Sequence, residues 1–202
     1  MKLRPELLLH PLIPPPLHSL SPREILGQKW WDVQRKEAYT KNSDRCWACG
    51  THKNDKQCAC HGHFAYKTYL EGHEAYLIDY QSHTIRLNEV VALCHSCHNF
   101  IHNGRLVKQY REGINSRQYV ENILNHGVTI LSNAGLKPTA TQAIAWLTIV
   151  KGYSTDQAIK YVIKRGLEED KFNPESWSEW RIIIDKRVYH GLSQAEWLGK
   201  YA

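Results

Sequence analysis

The chain has 202 residues, of which 42% are hydrophobic and 23% charged, a composition typical of folded proteins and not of disordered ones. No apolar run approaches the roughly 18 residues that a membrane-spanning helix needs, so we expect no membrane partner. The formal net charge of +6 favours an anionic partner, most simply nucleic acid.

The N-terminus argues against secretion. His10 and five prolines interrupt the first 17 residues, where a signal peptide would need an apolar core. Without such a signal, closely spaced cysteines are expected to be metal ligands in a reducing compartment and not disulfides. The sequence therefore predicts a cytoplasmic protein.

Residues 1–41 are predicted to form an extended segment followed by a helix. The tract 14–16 is all proline and favours an extended chain. Ser21, Pro22 and Glu24 are a typical helix start, and the helix is expected to reach about Lys41. Four apolar residues are expected on its buried stripe: Ile25, Leu26, Trp30 and Val33.

Residues 42–110 are predicted to form a metal-binding module. Aromatic and β-branched residues predict a strand over 66–80, and 83–93 can form the returning strand. A short helix is expected over 95–106.

Residues 111–202 contain no cysteine and are predicted to be rich in helix. Their role is not apparent from the sequence. The predicted helices span 116–126, 139–150 and 155–165, the last with a capping box at Ser154 and a cap at Gly166. A hairpin over 180–192 and a short helix from Ser193 complete the chain.

All six cysteines and eight of the twelve histidines fall between Cys46 and His102. Two CxxC pairs with 44 residues between them can supply four thiolates to one tetrahedral structural Zn²⁺. The ligands would be Cys46, Cys49, Cys94 and Cys97. The alternative is two unrelated pairs of buried thiols.

A structural zinc needs only four ligands, which leaves several histidines for chemistry. His98 and His102 are four residues apart, so both imidazoles can project from one helix face and bind a second, divalent ion. A strand histidine such as His73 can deprotonate water for attack on a phosphodiester. Asn88 can accept the imidazole N–H and fix its orientation.

These motifs resemble the HNH endonuclease family, and in particular a phage and bacterial subgroup. The resemblance covers roughly residues 45–105 and rests on four segments: CWACG, LEGHEAYLID, LNEVVALC and CHNFIHNGR. It implies an α+β protein with a zinc-stapled, treble-clef-like ββα-metal module, an N-terminal helix and a helix-rich C-terminal region. It also implies that His73 is the general base and Asn88 its orienting partner, while His98 and His102 bind the catalytic metal.

One position departs from the family pattern. Many HNH nucleases carry Asp or His immediately before the catalytic histidine, where this chain has Gly72. Glu71, Glu74 or His83 can compensate for the lost ligand. Glu74 has a second interpretation, which is a local salt bridge on the strand.

A second group of metal-ligand types lies between the two CxxC pairs. It consists of Cys58, Cys60, His61 and His63. These residues can bind a second structural zinc, or the cysteines can be free thiols on an insertion.

The leading hypothesis is a metal-dependent endonuclease that hydrolyses DNA. It uses structural Zn²⁺ and one catalytic cation, which can be Mg²⁺, Mn²⁺, Ni²⁺, Co²⁺ or Zn²⁺. The alternatives are a non-catalytic zinc module that binds nucleic acid and a zinc-stabilised protein-interaction domain.

Overall fold

The computed structural model describes residues 2–9, 13–55, 70–167 and 172–201. This described part is an α+β protein with one four-stranded sheet, which confirms the predicted class. None of its helices is both long and apolar enough to cross a membrane. The strands are β1 (Leu70–Asp79), β2 (Thr84–Cys94), β3 (Arg181–Ile184) and β4 (Arg187–His190). The helices are α1 (Pro22–Lys41), α2 (His95–Ile101), α3 (Asn103–Arg111), α4 (Arg117–Asn133), α5 (Ala140–Ile149), α6 (Thr155–Arg165) and α7 (Gln194–Tyr201). Short 3₁₀ helices span Pro5–Leu9, Pro15–Leu17 and Pro174–Glu179.

The chain divides into two compact units, each assembled from three segments. We call them the knuckle unit and the sheet unit. The knuckle unit comprises 1–10, 39–71 and 92–169, and the sheet unit comprises 11–38, 72–91 and 170–202. His73 and Asn88 therefore belong to the sheet unit. The four clustered cysteines, with His98 and His102, belong to the knuckle unit.

The sheet unit packs its core on one face of the sheet. The strand order is β1-β2-β3-β4, with β2 parallel to β3 and β3 antiparallel to β4. Asp185 and Lys186 have φ of 47° and 66°, as a tight two-residue hairpin turn requires. This confirms the predicted hairpin. The buried core residues are Leu17, Tyr76, Ile85, Trp180, Ile182 and Ile184.

Helix α1 begins and ends where the sequence predicts, but its buried stripe differs. Ser21 and Glu24 exchange the expected capping hydrogen bonds. Gly27 then adopts φ 85° and ψ 164°, which interrupts the helix and shifts the helical phase of the residues after it. As a result Trp31 is buried, whereas Val33 is 57% exposed and was wrongly predicted to lie on the stripe.

In the knuckle unit, α4 packs directly against α2. A Cβ on Gly127 of α4 would lie 2.2 Å from the ring of Phe100 in α2, so only glycine permits this approach. The sequence predicts a helix end at residue 126, because glycine costs roughly 0.5–1 kcal/mol within a helix. Packing against Phe100 offsets that cost, and α4 continues to Asn133.

Other predicted elements of the knuckle unit are close to those observed. The strand predicted over 66–80 is seen over Leu70–Asp79, and 66–69 lie outside the described residues. The single helix predicted over 95–106 is two helices, because His102 has φ −86° and ψ 39°. Ser154 and Gly166 cap α6 as predicted.

Candidate metal centres

The two CxxC pairs converge on one point of the knuckle unit. The sulfurs of Cys46, Cys49, Cys94 and Cys97 all lie within 4.8 Å of one another. Those of Cys49 and Cys94 are 3.7 Å apart, far longer than a disulfide bond of about 2.05 Å. A tetrahedral zinc with bonds of about 2.3 Å would place its sulfurs about 3.8 Å apart. These four residues, which we call the cysteine cluster, can therefore hold a metal ion, as the sequence predicted.

Backbone hydrogen bonds shape the first turn of the cysteine cluster. Cys46 N–H donates to Thr51 O at 2.8 Å, and Gly50 N–H donates to Cys46 O at 2.9 Å. Gly50 has φ 79°, which a glycine adopts at little cost. Trp47 N–H donates to Ala92 O at 2.9 Å and joins this turn to the end of β2. The sulfurs of Cys46 and Cys49 are thus presented by well-bonded backbone.

Burial and mutual hydrogen bonds act in opposite directions on the thiols of the cysteine cluster. Burial raises the pKa of Cys97 well above its usual range. Burial also opposes ionisation of Cys46, but hydrogen bonds from the other three cysteines outweigh it and lower its pKa. A divalent cation would stabilise all four as thiolates. The buried, soft donor set therefore fits a structural zinc.

His126 contacts the cysteine cluster, which the sequence did not predict. It lies on α4 and is 1% exposed. Its Nε2 is 3.1 Å from the Cys97 sulfur and 3.9 Å from the Cys94 sulfur. An N–H donated to a thiolate orients the sulfur and stabilises its charge. The only indication in the sequence was a histidine within an apolar helical stripe.

His98 and His102 lie side by side in the knuckle unit. Their ring centroids are 4.7 Å apart at an interplanar angle of 73°. Although His102 ends α2, its N–H still donates to His98 O at 3.3 Å, so the helical spacing is kept. Both side chains are half-buried. Two imidazoles in this arrangement offer a pair of nitrogen ligands for a divalent ion.

Glu71 connects this pair to a wider polar network. Its two carboxylate oxygens lie 2.8 Å from His98 Nδ1 and 2.6 Å from His95 Nδ1. His95 Nε2 is in turn 2.7 Å from the Tyr119 hydroxyl of α4. Burial opposes ionisation of Glu71, but hydrogen bonds from the two histidines outweigh it and lower its pKa to about 2.

A carboxylate 2.8 Å from Nδ1 favours the His98 tautomer that carries its proton on Nδ1. A histidine that donates its Nδ1–H to a carboxylate leaves Nε2 as the metal-binding nitrogen, an arrangement common among metal-binding histidines. Glu71 is therefore placed to orient His98. The sequence named Glu71 as one candidate to compensate for the ligand lacking at Gly72, but His95 and Tyr119 were missed.

His73 and Asn88 lie on one face of the sheet in the sheet unit. His73 on β1 is 4% exposed, whereas Asn88 on the neighbouring β2 is exposed. Tyr76 on β1 and Ile85 on β2 both belong to the core on the opposite face. Because side chains alternate along a strand, His73 and Asn88 share the other face. Their catalytic roles remain predictions.

Gly72 and Glu74 alternate onto the core side, away from the face of His73. A Cβ on Gly72 would lie 2.9 Å from both the Arg35 Cβ and the Trp31 ring of α1. The packing of α1 thus leaves no room for a side chain at this position.

Glu74 lies near the core tyrosine of β1. Burial and then the charge of Glu74 raise the pKa of Tyr76, a core residue. A metal-binding role for Glu74 remains a prediction. Its position on the core side, opposite the face of His73, does not favour that role.

Two further predictions concern His83 and a second zinc site. His83 Nδ1 is 2.6 Å from a Glu179 carboxylate oxygen, and its ring packs against Trp180. The predicted second zinc site falls outside the described residues. It consists of Cys58, Cys60, His61 and His63.

Comparison of the chain with protein-family models, curated proteins and solved structures found no match.

Proposed function

We propose that this protein is a metal-dependent endonuclease of the HNH type that hydrolyses DNA phosphodiester bonds. The observation that carries the proposal is the contact of Glu71 with His98, beside His102. A structural zinc in the cysteine cluster needs neither histidine nor their carboxylate partner. Such an oriented pair is typical of a second metal centre.

The proposal gives each predicted residue a defined step. His73 removes a proton from water, and the resulting hydroxide attacks phosphorus. The P–O3′ bond then breaks, and the departing 3′ oxygen takes a proton from solvent, which gives a 5′-phosphate and a 3′-hydroxyl. The Asn88 carbonyl accepts the imidazole N–H of His73 and keeps the other nitrogen available as the base.

His98 and His102 hold the catalytic cation in this proposal. That cation supplies stabilisation of the negative charge that develops on the phosphate and on the 3′ oxygen. Imidazole ligands favour Mn²⁺, Co²⁺, Ni²⁺ or Zn²⁺, whereas Mg²⁺ prefers oxygen ligands. We therefore expect Mn²⁺, Co²⁺ or Ni²⁺ to support more activity than Mg²⁺.

The test is nicking of supercoiled plasmid by the purified, zinc-containing protein with each of these cations. His73→Ala should abolish nicking while zinc content and circular dichroism stay unchanged. His83→Ala is the matched control and should nick normally, because His83 is engaged with Glu179. Equal nicking by His73→Ala would refute the assignment of the base.

The second candidate is a zinc module that binds nucleic acid without cutting it. Gly72 favours it, because one family metal ligand is lacking. It predicts salt-sensitive DNA binding with no nicking under any of the metals. A protein-interaction domain predicts neither nicking nor salt-sensitive DNA binding.

A further inference from the structure

One face of the sheet in the sheet unit carries charged, polar and apolar side chains, most of which are exposed. The core covers the face that holds Tyr76, Ile85 and Ile182. Alternation along the strands turns other residues to the opposite side. We call this surface the open face: Leu77, Asp79, Arg86, Asn88, the half-buried Arg181, Val188 and His190. Leu77 and Val188 are 60% and 51% exposed, so the open face is accessible to a partner.

The strand register brings the basic residues of the open face close together. Arg181 on β3 stands opposite His190 on β4 and opposite Thr84 on β2. Arg86 lies two residues further along β2, on the same side. Adjacent strands are about 4.8 Å apart, so both guanidinium groups can reach one stretch of phosphate backbone.

The open face also carries a carboxylate. Asp79 accepts hydrogen bonds from the backbone of Gln81 and Ser82 and from the Ser82 hydroxyl, all neutral donors, so its negative charge remains. Glu179, near the start of β3, lies 2.6 Å from His83. The two arginines outnumber the Asp79 carboxylate, so the net charge of the open face is positive, with apolar side chains between the charges.

We propose that the open face binds the sugar–phosphate backbone of duplex DNA, with Arg86 and Arg181 contacting phosphates. Charge complementarity supports this partner, and His73 belongs to the same face of the sheet. The proposal rests on the proposed nuclease function for the reason why DNA should lie here. It gives the β3–β4 hairpin, outside the 42–110 module, the role of extending the DNA-binding surface.

The test measures binding of the full-length, zinc-containing protein to a fluorescent 20-base-pair duplex by anisotropy across a salt series. No other divalent metal is added, so cleavage does not interfere. The double variant Arg86→Gln/Arg181→Gln should bind at least about tenfold more weakly, and its log–log salt slope should fall by about two. Lys160→Gln/Lys164→Gln is the matched control on the exposed side of α6, and it should change neither quantity.

The outcomes test the open face as a DNA-binding surface separately from the proposed nuclease function. Loss of binding in the arginine variant alone supports the open face, and it does so even if the wild-type protein never nicks plasmid. An equal loss in both double variants would show diffuse charge attraction and overturn the inference. Concentration-dependent self-association that Leu77→Asp abolishes, without a change in DNA binding, would show a second copy of the chain on this face and would also overturn it.

Discussion

The His126 imidazole lies 3.1 Å from the Cys97 sulfur and links α4 to the cysteine cluster across 29 residues of sequence. Seven residues earlier on the same helix, the Tyr119 hydroxyl contacts His95 of the Glu71 network. Positions seven apart lie on one helical face. Helix α4 therefore supports both candidate metal centres of the knuckle unit. The C-terminal region, whose role the sequence did not reveal, has at least this function.

The first prediction concerns zinc retention. His126→Phe fills the same buried site but removes the N–H donor, so we expect about tenfold faster transfer of zinc to a coloured chelator. His126→Gln keeps a donor near the Nε2 position and should recover most of the retention. His190→Gln, at an exposed histidine, is the control. Equal zinc loss in the Phe and Gln variants would show that packing alone matters.

The second prediction compares two helical glycines of the knuckle unit. Gly127→Ala would place a methyl group against the Phe100 ring, so unfolding free energy should fall by about 1–3 kcal/mol. Gly104→Ala, in α3, meets nothing within 4 Å and should raise stability by up to about 1 kcal/mol. Urea unfolding of the two variants measures both changes. A neutral Gly127→Ala would mean that α2 and α4 do not pack this closely.

Local patterns predicted much of this fold. The Ser21 cap, the Ser154 capping box and the turn after Ile184 all depend on neighbouring residues, so the sequence shows them directly. The convergence of the two CxxC pairs was also predictable, because one zinc needs four ligands.

Contacts between distant segments were not predictable in this way. The phase shift at Gly27 depends on a backbone conformation that a glycine permits but does not require. The approach of α4 to α2 depends on a glycine and a phenylalanine 27 positions apart. His126 and Tyr119 find their partners only through that packing. The cysteine cluster was therefore predictable from the sequence, whereas the contacts of His126 and Tyr119 were not.

The third prediction separates two nearby carboxylates of β1. Glu71→Gln weakens the anchor of His98, so affinity for the second metal should fall by about 10–100-fold, as isothermal titration with Mn²⁺ would show. Glu74→Gln is the control and should bind Mn²⁺ normally, because Glu74 alternates onto the core side. Weaker Mn²⁺ binding by Glu74→Gln, with normal binding by Glu71→Gln, would make Glu74 the metal-binding carboxylate, as the sequence allowed.

The fourth prediction is a pH dependence of stability. The pKa of Glu71 is lowered to about 2 in the folded protein, whereas an unfolded glutamate has a pKa of about 4.3. The ionised carboxylate therefore stabilises the fold fully above the unfolded pKa, and the contribution is lost as pH falls towards 2. The cost of Glu71→Gln, measured by urea unfolding, should therefore shrink as pH falls from about 4.3 towards 2. A cost that stays constant over that range would show that folding does not lower the pKa of Glu71.

The last prediction concerns Gly72, where many HNH nucleases carry a metal ligand. Gly72→Asp introduces such a carboxylate, yet we expect a loss of stability and no gain in metal affinity. The new Cβ would lie 2.9 Å from the Arg35 Cβ and the Trp31 ring, and the carboxylate would point into the packing of α1. Gly72→Ala should cost about 1–3 kcal/mol for the same steric reason, and Asp should cost more because its charge would be buried. Urea unfolding and Mn²⁺ titration of both variants test this. Tighter Mn²⁺ binding by Gly72→Asp would show that residue 72 faces the metal after all.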